Sequence, residues 1–120
     1  MQRASHTASR LALLVVLSAA TLLAACGSSG EATGATCPAD STLTYENFGQ
    51  AFVLTNCLSC HTSREQPMLT TLTAIQAHLD EIDQAAAAGP NAVNTSMPDG
   101  ASVSTAERTK LGEWLACGAP

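Results

Sequence analysis

Residues 57–61 read Cys57-Leu58-Ser59-Cys60-His61, and this C-x-x-C-H run constrains the chain more than any other feature. Two thiols three positions apart, followed at once by an imidazole, form the attachment pattern of a c-type haem. In that reading the thiols of Cys57 and Cys60 add to the two vinyl groups of one haem c. His61 then lies beneath the iron as proximal ligand. A metal-bound histidine is oriented through its second ring nitrogen by a carbonyl or carboxylate, and Pro67, six residues on, is the expected source of that carbonyl. Without haem the same residues make a dithiol, or part of a zinc clip that lacks its fourth ligand.

Compartment decides between these readings, and the N-terminus speaks to it. Arg3 and Arg10 stand among ten residues with no acid, ahead of an apolar run over 11–23 broken only by Ser18 and Thr21. That length suits the h-region of an export signal and is short for a membrane span. The run ends Leu23-Ala24-Ala25-Cys26, followed by Gly27 and Ser28. This resembles the lipobox of bacterial lipoproteins, which implies cleavage before Cys26, acylation of Cys26 and an anchor facing the periplasm. Gly27 after the cysteine favours the outer membrane. The alternative is a secreted protein cut near Ala25, with Cys26 left as a free thiol. Two or more acyl chains give lasting attachment, at roughly 0.8 kcal/mol per buried CH₂.

Outside the cytoplasm disulfides persist, and the five cysteines then divide without remainder. Cys26 takes lipid, Cys57 and Cys60 take haem, and Cys37 and Cys117 are left to pair across 80 residues. The alternative is two separate small apolar residues. Beyond Cys26 the chain carries ten acids against three bases (Arg64, Arg108, Lys110), a net charge of −7 with histidines neutral. Nucleic-acid binding is excluded on that balance, because phosphate contacts need clustered lysine and arginine. An acidic surface suits a redox partner with a basic docking face.

The organisation follows: a signal over 1–25, a lipidated cysteine and Gly/Ser/Ala/Thr-rich flexible tether over 26–36, and one domain over 37–120. With only Tyr45, Phe48, Phe52 and Trp114 as aromatics, that domain is short of core and calls for covalent staples. Three helices are expected. Over 44–56, Tyr45, Phe48 and Phe52 share a face. Over 71–88, Leu72, Ile75, Leu79, Ile82 and Ala86 alternate by three and four, with Gly89-Pro90 as the stop. The last starts at a capping box, Ser104-Thr105-Ala106-Glu107, and stops at Gly118. No segment shows strand-type alternation, so the expected class is all-α.

The sixth ligand has three candidates. Met97 stands alone among polar residues in Asn94-Thr95-Ser96-Met97-Pro98-Asp99-Gly100, 36 residues past His61, and is favoured. Met68 lies close behind His61 for reaching the opposite haem face. His78 flanks the apolar stripe of the second helix. An open or water-bound position is the remaining choice.

In order, an aromatic helix, C-x-x-C-H, Pro67-x-Leu69, Met97-Pro98, and Glu107-Arg108-x-x-Leu111-x-x-Trp114-Leu115 with Gly118-Ala119-Pro120 resemble the small bacterial class I cytochromes c over 49–120. The resemblance implies three to four helices wrapped around one covalent haem, with first and last helices crossing where Gly49 meets Trp114. The chain departs from the pattern in placing Phe52 five residues before Cys57, where the family's usual four falls on Val53. Only one proline follows Met97, and the Cys37/Cys117 pair is not general in the family. Histidine/methionine ligation raises the potential and leaves no vacant position. The expected function is therefore single-electron transfer between periplasmic partners by a lipid-anchored carrier, with no enzymatic activity of its own. The rivals are a haem sensor or peroxidase-like domain with an open sixth position, and a haem-free lipoprotein using the Cys57/Cys60 dithiol.

Overall fold

Residues 30–120 are described in the computed structural model of the chain; the proposed signal and Cys26 lie outside them. The first helix opens at Thr44, whose hydroxyl accepts from the Asn47 N–H while the Asn47 side chain accepts from the Thr44 N–H. This reciprocal cap satisfies two donors that a helix start otherwise leaves unpaired. A π-helical turn, Tyr45–Gly49, then runs into helix α1, Gln50–Asn56. The extra residue in that turn lets Thr44 O accept from both Phe48 N and Gly49 N.

Sequence periodicity placed one helix over 71–88; the chain forms two. Helix α2, Leu72–Gln76, starts at a Thr71 cap, and helix α3, Leu79–Ala86, starts at His78. The break has a local cause. The His78 backbone leaves the helical region at φ −129°, and its Nδ1 lies 2.6 Å from Glu81 Oε2, three residues on. Asp80 and Glu81 put negative charge in the first turn of the new helix, where its dipole favours it. The helix also ends earlier than Gly89-Pro90. Ala87 is extended, and Ala88 pairs with Val93 in an isolated antiparallel bridge around the Gly89-Pro90 turn. Helix α4, Thr105–Ala116, matches expectation, with the Ser104/Glu107 box formed. Its end is a Schellman motif: Ala119 N bonds Trp114 O, Gly118 N bonds Leu115 O, and Gly118 takes the left-handed φ of 84° that the motif asks for. Among the described residues the regular elements are helical, as the all-α expectation required. None is long and apolar enough to cross a membrane.

The core gathers Phe52 and Val53 of α1, Leu69, Ile75 of α2, Ile82 and Ala86 of α3, and Leu111, Trp114 and Leu115 of α4. Trp114 is fully buried, edge-on to Phe48 and stacked on Tyr45. Gly49 lies directly against its ring, so a Cβ there would stand 2.2 Å from Trp114 Cζ2. Cys37 and Cys117 form the expected disulfide, with Cα atoms 4.7 Å apart. Closing an 80-residue loop contributes up to about 4–5 kcal/mol in the chain-entropy account.

A further expectation is corrected. The stretch from Glu31 to Ala35, read as part of a flexible tether, is bound to the folded body. Thr33 is fully buried; its N–H and hydroxyl both donate to the Asp83 carboxylate, at 2.8 and 2.6 Å. Glu31 exchanges hydrogen bonds with the Asn94 side chain, and Asn91 N bonds Thr33 O. Small residues make good linkers and also pack closely; here the half-buried Asp83 carboxylate selects the second use.

Gly49→Ala tests the helix crossing. Alanine gains about 1 kcal/mol of helix propensity over glycine, but the clash falls on rigid ring atoms that nothing can move aside. We expect a net loss of about 1–2 kcal/mol in urea unfolding, because so short an approach puts the overpacking cost in the upper part of its usual range, about 2–3 kcal/mol. An unchanged or raised midpoint would show that the crossing is not tight.

Candidate functional site

Helix α1 leads directly into the C-x-x-C-H turn. Phe52 and Val53 hold its last turn in the core, and Val53 O accepts from both Cys57 N and Leu58 N. The turn then folds on two carbonyls: Cys57 O receives Cys60 N and His61 N, and Cys60 O receives Arg64 N and Glu65 N. Cys57 and Leu58 pack half-buried against the core, while Cys60 is exposed. Both cysteines are free thiols. Burial pushes the Cys57 thiol up to about 11, because the thiolate is the form that desolvation penalises.

His61 is fixed from two sides. Its Nδ1 lies 2.8 Å from Pro67 O, and its own carbonyl accepts from Leu69 N at 2.9 Å. A carbonyl only accepts, so Nδ1 carries a proton, and in the neutral ring Nε2 is the nitrogen with the lone pair. That is the tautomer a ligand needs, and Pro67 is the partner expected from the sequence. Leu69, buried, anchors the far end of the loop.

Met97 sits on a separate element, the loop between α3 and α4. Its N–H donates to Ala85 O at 2.9 Å, and its carbonyl accepts from Arg108 Nη1 at 2.7 Å. The side chain remains 40% exposed although the backbone is held on both sides. Of the rivals, Met68 is half-buried next to Leu69, and His78 is engaged with Glu81 as the start of α3. The structure thus brings Cys57, Cys60 and His61 together in one turn and holds Met97 by a different part of the fold.

Sequence reading counted Arg108 only as a charge and a matching letter. It is 3% exposed, and Nη1 donates to Ala86 O, Asn94 O and Met97 O at 2.7–2.9 Å. Nε reaches Val103 O at 3.3 Å. A signal was present: Arg108 precedes Leu111, Gly112 and Leu115 by three, four and seven residues, on the face that α4 buries.

Comparison with family models, curated proteins and solved structures finds no match. Function must therefore be argued from the residues themselves. Among the described residues no three His, Cys, Asp or Glu side chains converge as a metal-holding group. Two shallow surface concavities of about 300 Å³ lie elsewhere, one beside Gly30, Val93 and Asn94, the other along residues 76–81.

The Cys57 thiol makes a prediction for the chain before any haem is attached. Its folded-state value of about 11 exceeds the ordinary 9.0. Between those pH values the folded chain retains a proton that the unfolded chain has lost, so this group's contribution to stability falls as pH rises. Alkylation of Cys57 by iodoacetamide, followed by peptide mass mapping, is expected to be slow at pH 9 in the folded chain and fast in urea. Equal rates in the two states would contradict the burial.

Proposed function

We propose that this chain is a lipid-anchored mono-haem c-type cytochrome that passes single electrons between partners outside the cytoplasm. The observation that carries the reading is the His61 ring, held by Pro67 O at Nδ1 and leaving Nε2 for iron. It stands at the end of a turn that also presents two free thiols. The donor set fits a covalently attached haem: two sulfurs to add to vinyl groups, a histidine in the ligating tautomer, and half-buried Phe48, Leu58, Leu72, Leu79 and Val103 as apolar surface around the core. Bound haem supplies a one-electron ferric/ferrous couple whose potential a methionine ligand raises.

The chain's own residues do the rest. On a bound haem each S–H would add across one C=C, sulfur to one carbon and hydrogen to the other, with no external oxidant. Cys57 and Cys60 would fix the group in position, and His61 and Met97 would hold its iron. With both residues on the iron no place would be left for a substrate, which is why we assign electron transfer and no catalysis. Fold-level wrapping of the helices around the haem belongs to the same proposal. The acidic surface, ten acids to three bases after Cys26, favours a redox partner with a basic docking face. Export, acylation at Cys26 and an outer-membrane destination rest on the N-terminal sequence.

The test is an optical spectrum of the full chain matured in an exporting host competent for cytochrome c assembly, oxidised and then reduced with dithionite. We expect a sharp reduced α band and colour that survives acid-acetone extraction. A colourless protein from that host would overturn the proposal. Met97→Ala is expected to keep covalent haem, lose the near-infrared methionine-to-iron band and lower the potential. Carbon monoxide binding by the untreated wild type at neutral pH would transfer the assignment to a sensor or peroxidase-like site.

A further inference from the structure

Met97 must be placed by its backbone, because its side chain, 40% exposed, has little packing to hold it. Its N–H is taken by Ala85 O on α3, and its carbonyl by Arg108 Nη1 on α4. The same Nη1 also takes Asn94 O, three residues earlier in the loop, and Ala86 O in the last turn of α3. Nε of the same guanidinium reaches Val103 O, where the loop runs into the cap of α4. One buried side chain therefore ties the beginning, middle and end of the 94–103 loop to both neighbouring helices. Its contacts are all carbonyls, and the backbone of the same residue joins in, since Arg108 O accepts from Ala88 N.

We propose that Arg108 is the positioning residue for Met97, holding the loop where the thioether can serve as sixth ligand; this rests on the reading of Met97 as that ligand. Three of the carbonyls, Ala86 O, Asn94 O and Met97 O, converge on Nη1, and the fourth, Val103 O, is taken by Nε. A lysine side chain ends one bond short of Nη1 and has no donor at the Nε position, so its ammonium cannot reproduce the set. With the fork removed, the Met97 carbonyl is released and the methionine-bound arrangement becomes one of several loop states. An external ligand then competes with a smaller bound fraction, and its apparent affinity rises in proportion.

The experiment uses the matured holoprotein, with Arg108→Lys and Arg108→Met compared against wild type and against Thr71→Ala, which removes the cap of α2 away from the loop and from α4. Covalent haem is counted by pyridine haemochrome, the ligand is followed by the near-infrared band of the ferric form, and access by cyanide titration. We expect one haem per chain in every variant. In both Arg108 variants the band is weakened or lost and cyanide affinity rises about tenfold or more, while Thr71→Ala keeps the band. An unchanged band, with cyanide affinity in both Arg108 variants within about twofold of wild type, overturns the positioning role alone. Loss of the band in Thr71→Ala as well reduces Arg108 to general stability and also overturns it. A wild type that carries covalent haem but lacks the band overturns Met97 ligation, and this proposal with it. Should the Arg108 variants not accumulate, amide hydrogen exchange of wild type decides. Met97 N–H is expected to exchange as slowly as Leu111 N–H, and much faster exchange at Met97 would show that the loop opens independently of its clamp.

Discussion

The contact on which the rest of the structure depends is the crossing of the first and last helices, where the Trp114 ring lies directly against the bare backbone of Gly49. A fully buried indole brings more apolar area than any other side chain in this small core. It can approach the helix so closely only because position 49 has no Cβ. Two further ties secure the same place. Tyr45 N bonds Pro120 O, so the chain end caps the start of the first helix, and the Cys37–Cys117 disulfide joins the entry of the domain to the exit of α4. With the start of the first helix fixed, the direction of α1 is fixed, and α1 ends at Cys57. The candidate site inherits its position from a packing contact that contributes none of its chemistry.

Arg108 sets the second constraint and shows how a small fold can keep a charge inside. An unpaired buried charge costs several kcal/mol or more, and burial here lowers the pKa of the guanidinium. The compensation comes from four peptide carbonyls rather than a carboxylate. One of them, Ala86 O, belongs to the last turn of α3, where carbonyls lack helical partners and carry the negative end of the dipole. The arginine thus satisfies a helix end, a loop and its own charge together. No buried side-chain nitrogen or oxygen among the described residues is left without a partner, so the polar interior is closed despite its size.

What could be read from the sequence was what neighbouring residues decide. The Ser104/Glu107 box, the Gly118 helix end, the aromatic face of the first helix and the Pro67 carbonyl opposite His61 each involve residues within a few positions of one another. The Cys37–Cys117 pair is distant but was reached by counting cysteines, which needs no geometry. Where partners were distant and unmarked, composition misled. Thr33 read as linker because its acceptor, Asp83, is 50 residues away. Arg108 read only as a charge and a motif letter because its partners are backbone carbonyls, which leave no trace in the identity of the residues that carry them. The division of 71–88 at His78 was obscured for a related reason. An apolar stripe of period three to four persists through a short break, and only the His78–Glu81 pair, with acids in the following turn, marks a second helix start.

This division between near and distant contacts runs through the candidate site itself. The His61 half is closed by residues 57–69, through bonds that span nine positions or fewer. The Met97 half is held by Ala85 and Arg108, so its placement depends on the packing of α3 against α4 and on a strap that begins at Glu31. Asn94 links the two dependencies: its side chain binds Glu31 and Asp83 while its carbonyl takes Arg108. Changes in α4 or the strap can therefore shift the Met97 loop while leaving the His61 turn intact. On the proposed electron-carrier reading, that separation would let the Met97 loop, and with it the potential, vary while the Cys57–His61 turn stays constant.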